Sequence, residues 1–157
     1  MWPKRKNIRL KNYDYRQNGA YFITISTYKR QKLFGPETES LLLEGYQLLE
    51  NKYPYCHVKE KVTMADHIHF VINLDGEGSI ENREPISDIM QWFKGITTIN
   101  YIEKVKAGVL PAFYKKIWQK GFYEHVIRSE EELYQVQRYI QENPLKLQLL
   151  QEEWKKK

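Results

Sequence analysis

Two strand-like segments separated by a very short connection constrain the fold of this chain more than any other feature. They run from about His57 to Met64 and from Ile68 to Leu74, on either side of Ala65-Asp66. In the second segment, apolar residues recur at every second position and so share one face, which is typical of a β-strand. A connection this short joins antiparallel neighbours, because parallel strands need a long crossover. The sequence therefore predicts an antiparallel hairpin near the middle of the chain.

Further strands and helices are predicted on both sides of this hairpin. A first strand should precede it and a short fourth strand should follow it, and three helices should lie between and after the strands. In the first strand, Tyr21, Ile23 and Ile25 form an apolar face opposite a more polar one. Ser129 and Glu132 have the spacing of a capping box at the start of the last helix. The predicted segments outside the hairpin are Tyr21–Tyr28, Glu37–Lys52, Ser87 to about Gly108, Phe122–Ile127 and a helix from Ser129.

The resulting order, β-α-β-β-α-β-α, indicates an α+β fold. Short β-β connections favour an antiparallel sheet with helices packed on it, close to a ferredoxin-like split unit. The chain has 157 residues and is 41% hydrophobic, which suffices for one core but hardly for two. We expect a basic N-terminal arm over residues 1–18 and a single domain over residues 19–157.

The formal charge of +5 is concentrated at the front of the chain and makes a polyanionic partner plausible. Solvated surface charge is the alternative interpretation. The lone Cys56 excludes an intrachain disulfide and a multi-cysteine zinc site. No apolar run has the roughly 20 residues of a membrane span and no secretory core precedes the domain, so we expect a cytoplasmic protein without a membrane partner. The basic residues of the front segment are Lys4, Arg5, Lys6, Arg9 and Lys11.

Two histidines on the second hairpin strand form a candidate metal site. His67 and His69 are two residues apart, so their side chains lie on the same face of the strand, about 7 Å apart at the backbone. Ile68, Phe70 and Ile72 belong to the opposite face. Two imidazoles on a rigid strand can converge on one cation, but a third ligand must come from elsewhere in the fold. Taken alone, this motif is more often structural than functional.

A tyrosine and an asparagine on the last helix form a second candidate. Tyr139 and Asn143 are four residues apart and share a helix face. A phenol is a poor nucleophile at its ordinary pKa of about 10, so a nearby cation would activate it. Asn143 is a possible third metal ligand through its carbonyl oxygen. Pro144 predicts that the helix breaks or kinks at this point. The structural alternative is that Tyr139 packs at the rim of the core and that Asn143-Pro144 only ends the helix.

Several segments, in this order along the chain, together resemble the HUH single-tyrosine transposases, and specifically the REP-associated tyrosine transposases. The basic lead-in and first strand resemble the family in RLKNYDYRQNGAYFITISTYKRQKLFG, and the paired histidines do so in VTMADHIHFVINL. The next helix, IMQWFKGITT, and the terminal region, IWQKGFYEHVIRSEEELYQVQRYIQENPLK, continue the resemblance. Two positions depart from it: Ala65 stands where the family often has proline, and Asn143 where related transposases often have glutamine.

The resemblance implies a metal-dependent single-strand endonuclease and strand transferase that acts on hairpin-bearing repeated elements. His67, His69 and Asn143 would bind Mg²⁺ or Mn²⁺, and Tyr139 would attack the scissile phosphate to give a 5′-phosphotyrosine link and a free 3′-hydroxyl. The basic front segment would hold DNA phosphates, as would Lys94, Lys120 and Arg128.

Two other functions stay open. One is a hairpin-DNA-binding regulator that keeps the fold without catalysis, and the other is a small metal-dependent hydrolase that leaves Tyr139 idle. Retention of the histidine pair together with Tyr139 favours the transposase over the regulator. We expect a monomer rather than a dimer.

Overall fold

The sheet is built from four strands that are all antiparallel to their neighbours. A computed structural model describes residues 14–76 and 80–156. The strands are β1 (Gly19–Ser26), β2 (Cys56–Met64), β3 (His67–Leu74) and β4 (Tyr123–Ile127), and the helices are α1 (Glu39–Lys52), α2 (Ile86–Lys106), α3 (Glu130–Glu142) and α4 (Leu145–Lys155). Short 3₁₀ turns lie at Tyr28–Arg30, Pro36–Thr38 and Ile80–Asn82.

The spatial strand order is β2-β3-β1-β4. β3 therefore lies between β1 and β2, and β1 lies between β3 and β4, which is the split arrangement that the sequence predicts. The register places Thr24 opposite His69 and Ser26 opposite His67. The histidine pair thus lies at the centre of the sheet rather than at an edge.

Helices α1 and α2 cover one face of the sheet and form the larger core. Ile68, Phe70 and Ile72 point into it, together with Tyr21 and Ile23 of β1. The predicted division of β3 into two faces is therefore confirmed. On α2, Ile99 lies outside the buried side and is 55% exposed. The buried side of α2 is formed by Ile86, Ile89, Met90, Phe93, Thr97 and Tyr101.

The other face of the sheet is also buried, which the sequence did not predict. Phe22, Thr24 and Ser26 are almost inaccessible to solvent. A second core joins this face to Val136 and Ile140 of α3 and to α4. Helix α4 was missed because the break at Pro144 suggested an end. Pro144 instead precedes the first helical residue, where its missing N–H is tolerated.

The N-terminal side of the domain extends the larger core. Tyr15 is buried there with its ring 6.2 Å from that of Tyr21. Arg83 donates hydrogen bonds to the carbonyl of Arg16 and to Asn18 Oδ1. The proposed boundary at residue 18 therefore falls within a packed segment, while residues 1–13 lie outside the described part. Within that described part, no helix is long and apolar enough to cross a bilayer.

Gly45 on α1 lies where the two helices of the larger core approach each other closely. A Cβ at this position would lie 2.7 Å from the Thr97 methyl group. Thr97 has little freedom to move, since its hydroxyl donates to the Phe93 carbonyl and accepts from Trp118 Nε1. Glycine is therefore required here by packing, in spite of its low helix propensity.

Gly45→Ala is expected to lower the free energy of unfolding by about 1 kcal/mol, because overpacking outweighs the gain in helix propensity. Gly95→Ala is the matched control. Gly95 lies on α2 with open space around it, so alanine there should stabilise the protein by about 1 kcal/mol. Urea unfolding of both variants measures the difference. Equal stabilisation by the two substitutions would contradict the close approach.

Candidate metal and nucleophile site

His67 and His69 lie side by side at the start of β3. Their ring centroids are 4.7 Å apart and the ring planes are inclined by 78°. Both side chains are buried, with exposed fractions of 4% for His67 and 0% for His69. The His69 ring also stacks on Phe22, with centroids 5.4 Å apart. The strand thus brings the two imidazoles together without any loop having to order.

Each imidazole is oriented through its Nδ1 atom. His67 Nδ1 lies 2.6 Å from Asp66 Oδ1, and Asp66 in turn accepts from Arg30 Nε at 3.2 Å. His69 Nδ1 lies 2.7 Å from Thr24 Oγ1. An ionised carboxylate can only accept, so His67 carries its proton on Nδ1 and keeps the Nε2 lone pair. A histidine fixed in this way by a carboxylate is the usual arrangement of a metal ligand.

Burial keeps both imidazoles neutral. Desolvation lowers the pKa of His67 below its ordinary value of 6.5, although the Asp66 carboxylate opposes this shift. The pKa of His69 is lowered further, first by desolvation and then by the neighbouring His67. The Asp66 carboxyl stays ionised, because its bonds to His67 and Arg30 outweigh its partial burial and lower its pKa. Neutral imidazole is the form that binds a metal ion.

Buried polar atoms without a protein partner lie at this site. Among the described residues, His69 Nε2 and Gln151 Oε1 are buried and form no hydrogen bond. Gln151 of α4 is fully buried, and its Nε2 donates to the same Thr24 Oγ1 that contacts His69. A divalent cation would satisfy the histidine nitrogen. The residues present therefore fit such an ion, although residues 14–76 and 80–156 hold no group of three or more His, Cys, Asp or Glu side chains suited to one.

Gln151 is a site residue that sequence reasoning missed, since it lies on the unpredicted helix α4. A glutamine with buried neighbours Leu147 and Leu150 at helical spacing is the signal that was available. His125, by contrast, has a structural role. Its ring stacks 3.7 Å from that of Trp154, and its Nε2 lies 2.9 Å from Glu132 Oε1.

Tyr139 belongs to α3, and its side chain faces residues of α4. Its hydroxyl accepts from Gln135 Nε2 at 3.3 Å, and Lys146 Nζ lies 5.7 Å from the ring centroid. The tyrosine lines a cavity of about 410 Å³ together with Gln135, Lys146 and the acidic residues Glu152 and Glu153. The cavity gives a reacting group access to the phenol.

Asn143 ends α3 with an extended backbone (φ −157°) and an exposed side chain. Its backbone N–H makes the last helical hydrogen bond of α3, to the Tyr139 carbonyl. The non-helical backbone of Asn143 confirms the predicted break before Pro144. In the described part of the chain, neither Asn143 nor Tyr139 hydrogen-bonds to His67 or His69. The structure therefore connects His69 to Thr24 and Gln151 by hydrogen bonds, whereas within the described part Tyr139 and Asn143 form no hydrogen bond to either histidine.

The basic residues predicted to contact DNA have different surroundings. Lys94 Nζ donates to the carbonyls of Gln119 and Gly121 and so joins α2 to the segment before β4. Lys120 and Arg128 are exposed near β4. Their contact with phosphate stays a prediction. The front cluster lies outside the described residues and consists of Lys4, Arg5, Lys6, Arg9 and Lys11.

The lowered pKa of His69 predicts that stability falls on acidification. Above about pH 6.5 the imidazole is neutral in both states, so the shift has no effect on stability. Below that value His69 binds a proton in the unfolded chain but stays neutral in the folded protein, which favours unfolding. Between pH 7.5 and 5.5 we expect the lowered pKa of His69 to reduce the free energy of unfolding by about 1 kcal/mol. Urea unfolding at both values measures it, and an equal loss in His69→Gln would contradict this assignment.

Comparisons with known proteins identify the family of this antiparallel sheet with its paired-histidine strand. The family model of the IS200-like transposases matches residues 15–143. A Haemophilus influenzae protein named "Putative REP-associated tyrosine transposase" is 27% identical over 142 residues, which cover 87% of this chain and 77% of that protein. The chain belongs to the IS200-like transposase family.

Two further relatives extend the comparison. An uncharacterised Haemophilus influenzae protein is 29% identical over 159 residues, covering 90% of this chain and 88% of its own length. The solved structure of a REP-associated tyrosine transposase bound to a REP hairpin has a TM-score of 0.62 and 23% identity, and the match covers 88% of this chain and 73% of that one. At this identity the solved structure confirms the fold.

Proposed function

We propose that this transposase-family protein is a metal-dependent single-strand DNA endonuclease and strand transferase acting on hairpin-bearing repeats. The observation that carries the proposal is the pair of neutral, buried imidazoles held through Nδ1, with rings 4.7 Å apart. Their Nε2 atoms are the proposed ligands of Mg²⁺ or Mn²⁺. A cation held there would supply positive charge to polarise the scissile phosphate.

Tyr139 is the proposed nucleophile. Its phenol loses a proton to solvent and its oxygen attacks phosphorus, while the bond from phosphorus to the 3′-oxygen breaks and that oxygen takes up a proton. The products are a 5′-phosphotyrosine link and a free 3′-hydroxyl. Attack by another 3′-hydroxyl reverses the step and joins strands.

The proposed third ligand is an amide oxygen. The family resemblance favours Asn143, whereas the described arrangement favours Gln151, because Gln151 shares Thr24 with His69. Since both imidazoles are buried, a phosphate can reach them only if side chains packed over this face of β3 move. Asn143 would also have to turn toward the strand, because its side chain is exposed.

The proposal is tested by incubating the protein with single-stranded oligonucleotides that carry a REP-like hairpin and a flanking unpaired segment. With Mn²⁺ or Mg²⁺ we expect a protein–DNA adduct that survives denaturing electrophoresis, and with EDTA we expect none. Hairpin binding without any metal-dependent adduct would favour the regulator. The DNA partner itself is proposed from the neighbour that was solved with a REP hairpin.

A further inference from the structure

Two tyrosines from distant parts of the chain come together near the end of β1. Tyr28 lies in the turn that follows β1, and Tyr114 lies in the segment between α2 and β4. Their rings are nearly parallel, with an interplanar angle of 20° and centroids 6.3 Å apart. Tyr114 is 58% exposed. An exposed aromatic surface therefore stands at this end of the sheet.

Three lysines surround the two rings. Lys116 Nζ lies 4.9 Å from the Tyr28 centroid and Lys29 Nζ lies 5.8 Å from it, while Lys115 Nζ lies 5.6 Å from the Tyr114 centroid. All three lysines are exposed. We name these five residues the tyrosine–lysine platform. It combines ring faces with positive charge, the two features that bind unpaired nucleic acid.

The platform is held by bonds that do not use its own side chains. Gln31 Nε2 donates to the carbonyls of Tyr114 and Lys116, and Gln31 Oε1 accepts from the Tyr114 N–H. The Tyr28 N–H donates to the Ile117 carbonyl at 2.7 Å. Side-chain substitutions on the platform therefore leave the backbone connection between its two halves intact.

The platform is connected to the histidine site through residues that flank Tyr28 and Lys29 in the chain. Arg30 follows Lys29 directly, and its Nε contacts Asp66, the residue that orients His67. The Thr27 N–H also donates to the Asp66 carbonyl at 2.9 Å, so the turn that carries Tyr28 is bonded to the residue that precedes His67.

We propose that the tyrosine–lysine platform binds the unpaired DNA segment beside the scissile phosphate, with a base stacked on Tyr114 and phosphates bound by the lysines. The inference rests on the proposed function for the position of that phosphate. A duplex does not fit the aromatic surface, because paired bases hide their faces within the stack. The platform thus distinguishes unpaired DNA from the hairpin stem.

The binding test uses fluorescence anisotropy in EDTA, so it does not depend on cleavage. The probes are a labelled oligothymidine, a hairpin with an unpaired thymidine extension and a blunt hairpin. Tyr114→Ala should weaken binding of the first two about tenfold and leave the blunt hairpin unchanged. Tyr114→Trp should restore affinity, and Tyr134→Ala, which removes an exposed tyrosine of α3, should have no effect.

Salt dependence tests the lysines separately. Replacing Lys115 and Lys116 with alanine should make the slope of log affinity against log salt less steep by about 1.4 for the oligothymidine. Lys52→Ala at the end of α1 is the control and should leave the slope unchanged.

The proposal is overturned if Tyr114→Ala binds oligothymidine like the wild type, or if it weakens all three probes equally. Failure of the proposed function gives a different result: the wild type then forms no covalent adduct, while the Tyr114-dependent binding persists.

Discussion

Tyr139→Phe is expected to abolish the covalent protein–DNA adduct, with a loss of at least about a thousandfold in its rate of formation. Phenylalanine keeps the aromatic ring and removes only the hydroxyl, which accepts one hydrogen bond, from Gln135. Folding should therefore be unaffected. Quantitative denaturing electrophoresis of a labelled hairpin oligonucleotide with Mn²⁺ measures the loss.

Tyr134→Phe is the matched control for this experiment. Tyr134 lies on the same helix and is 64% exposed, so its variant should form the adduct at the wild-type rate. An adduct that persists in Tyr139→Phe would show that another side chain attacks the phosphate. Loss of the adduct in both variants would indicate a general effect on α3.

His69→Ala is expected to weaken Mn²⁺ binding by at least about a hundredfold, because it removes one of the two imidazole ligands. Electron paramagnetic resonance of free Mn²⁺ measures the affinity without DNA or catalysis. His57→Ala is the control, since His57 lies on β2 opposite Asn73 and should bind the ion like the wild type. Unchanged affinity in His69→Ala would remove the histidine pair from the metal site.

The same titration distinguishes the two amides. In the DNA-free protein, Gln151→Ala should weaken Mn²⁺ binding about tenfold, because it removes a possible ligand and the donor that orients Thr24 against His69. Asn143→Ala should leave affinity unchanged, since that side chain is exposed. The opposite result would mean that the end of α3 reaches the histidines in solution and that Asn143 holds the third position.

The sheet and the histidine pair were predictable because each depends on local alternation. Period-two patterning assigned the faces of β3, and the short connection at Ala65-Asp66 set the antiparallel hairpin. The start of α3 was half predicted: Ser129 Oγ accepts from the Glu132 N–H, but the Glu132 carboxylate accepts from Arg128 N and His125 rather than from Ser129.

The second core was not predictable in the same way. Phe22, Thr24 and Ser26 look like a half-polar surface, but this face of the sheet is buried beneath α3 and α4. Pro144 is compatible both with the end of a helix and with the start of another. Gln151 can reach the site only if a helix starts after Pro144, and its hydrogen bond to Thr24 joins residues 127 positions apart in the sequence.

The relation between Tyr139 and the histidines also depends on long-range packing. Spacing within α3 put Tyr139 and Asn143 on one helix face, but it contains no information about which part of the sheet α3 crosses. Gln137 of α3 donates to Glu60 of β2 at 2.8 Å, so this helix lies toward the β2 side of the sheet. The position of Tyr139 relative to the histidines is therefore set by the packing of α3 and α4 on the sheet.

The central claim is that Tyr139 becomes linked to a DNA 5′-phosphate, and peptide mapping by mass spectrometry tests it most directly. The adduct formed with Mn²⁺ is digested with protease and nuclease, and the modified peptide is sequenced. We predict a single peptide from α3 that carries a 5′-phosphonucleotide on Tyr139. A nucleotide attached to any other residue, or linked through a 3′-phosphate, would contradict the account.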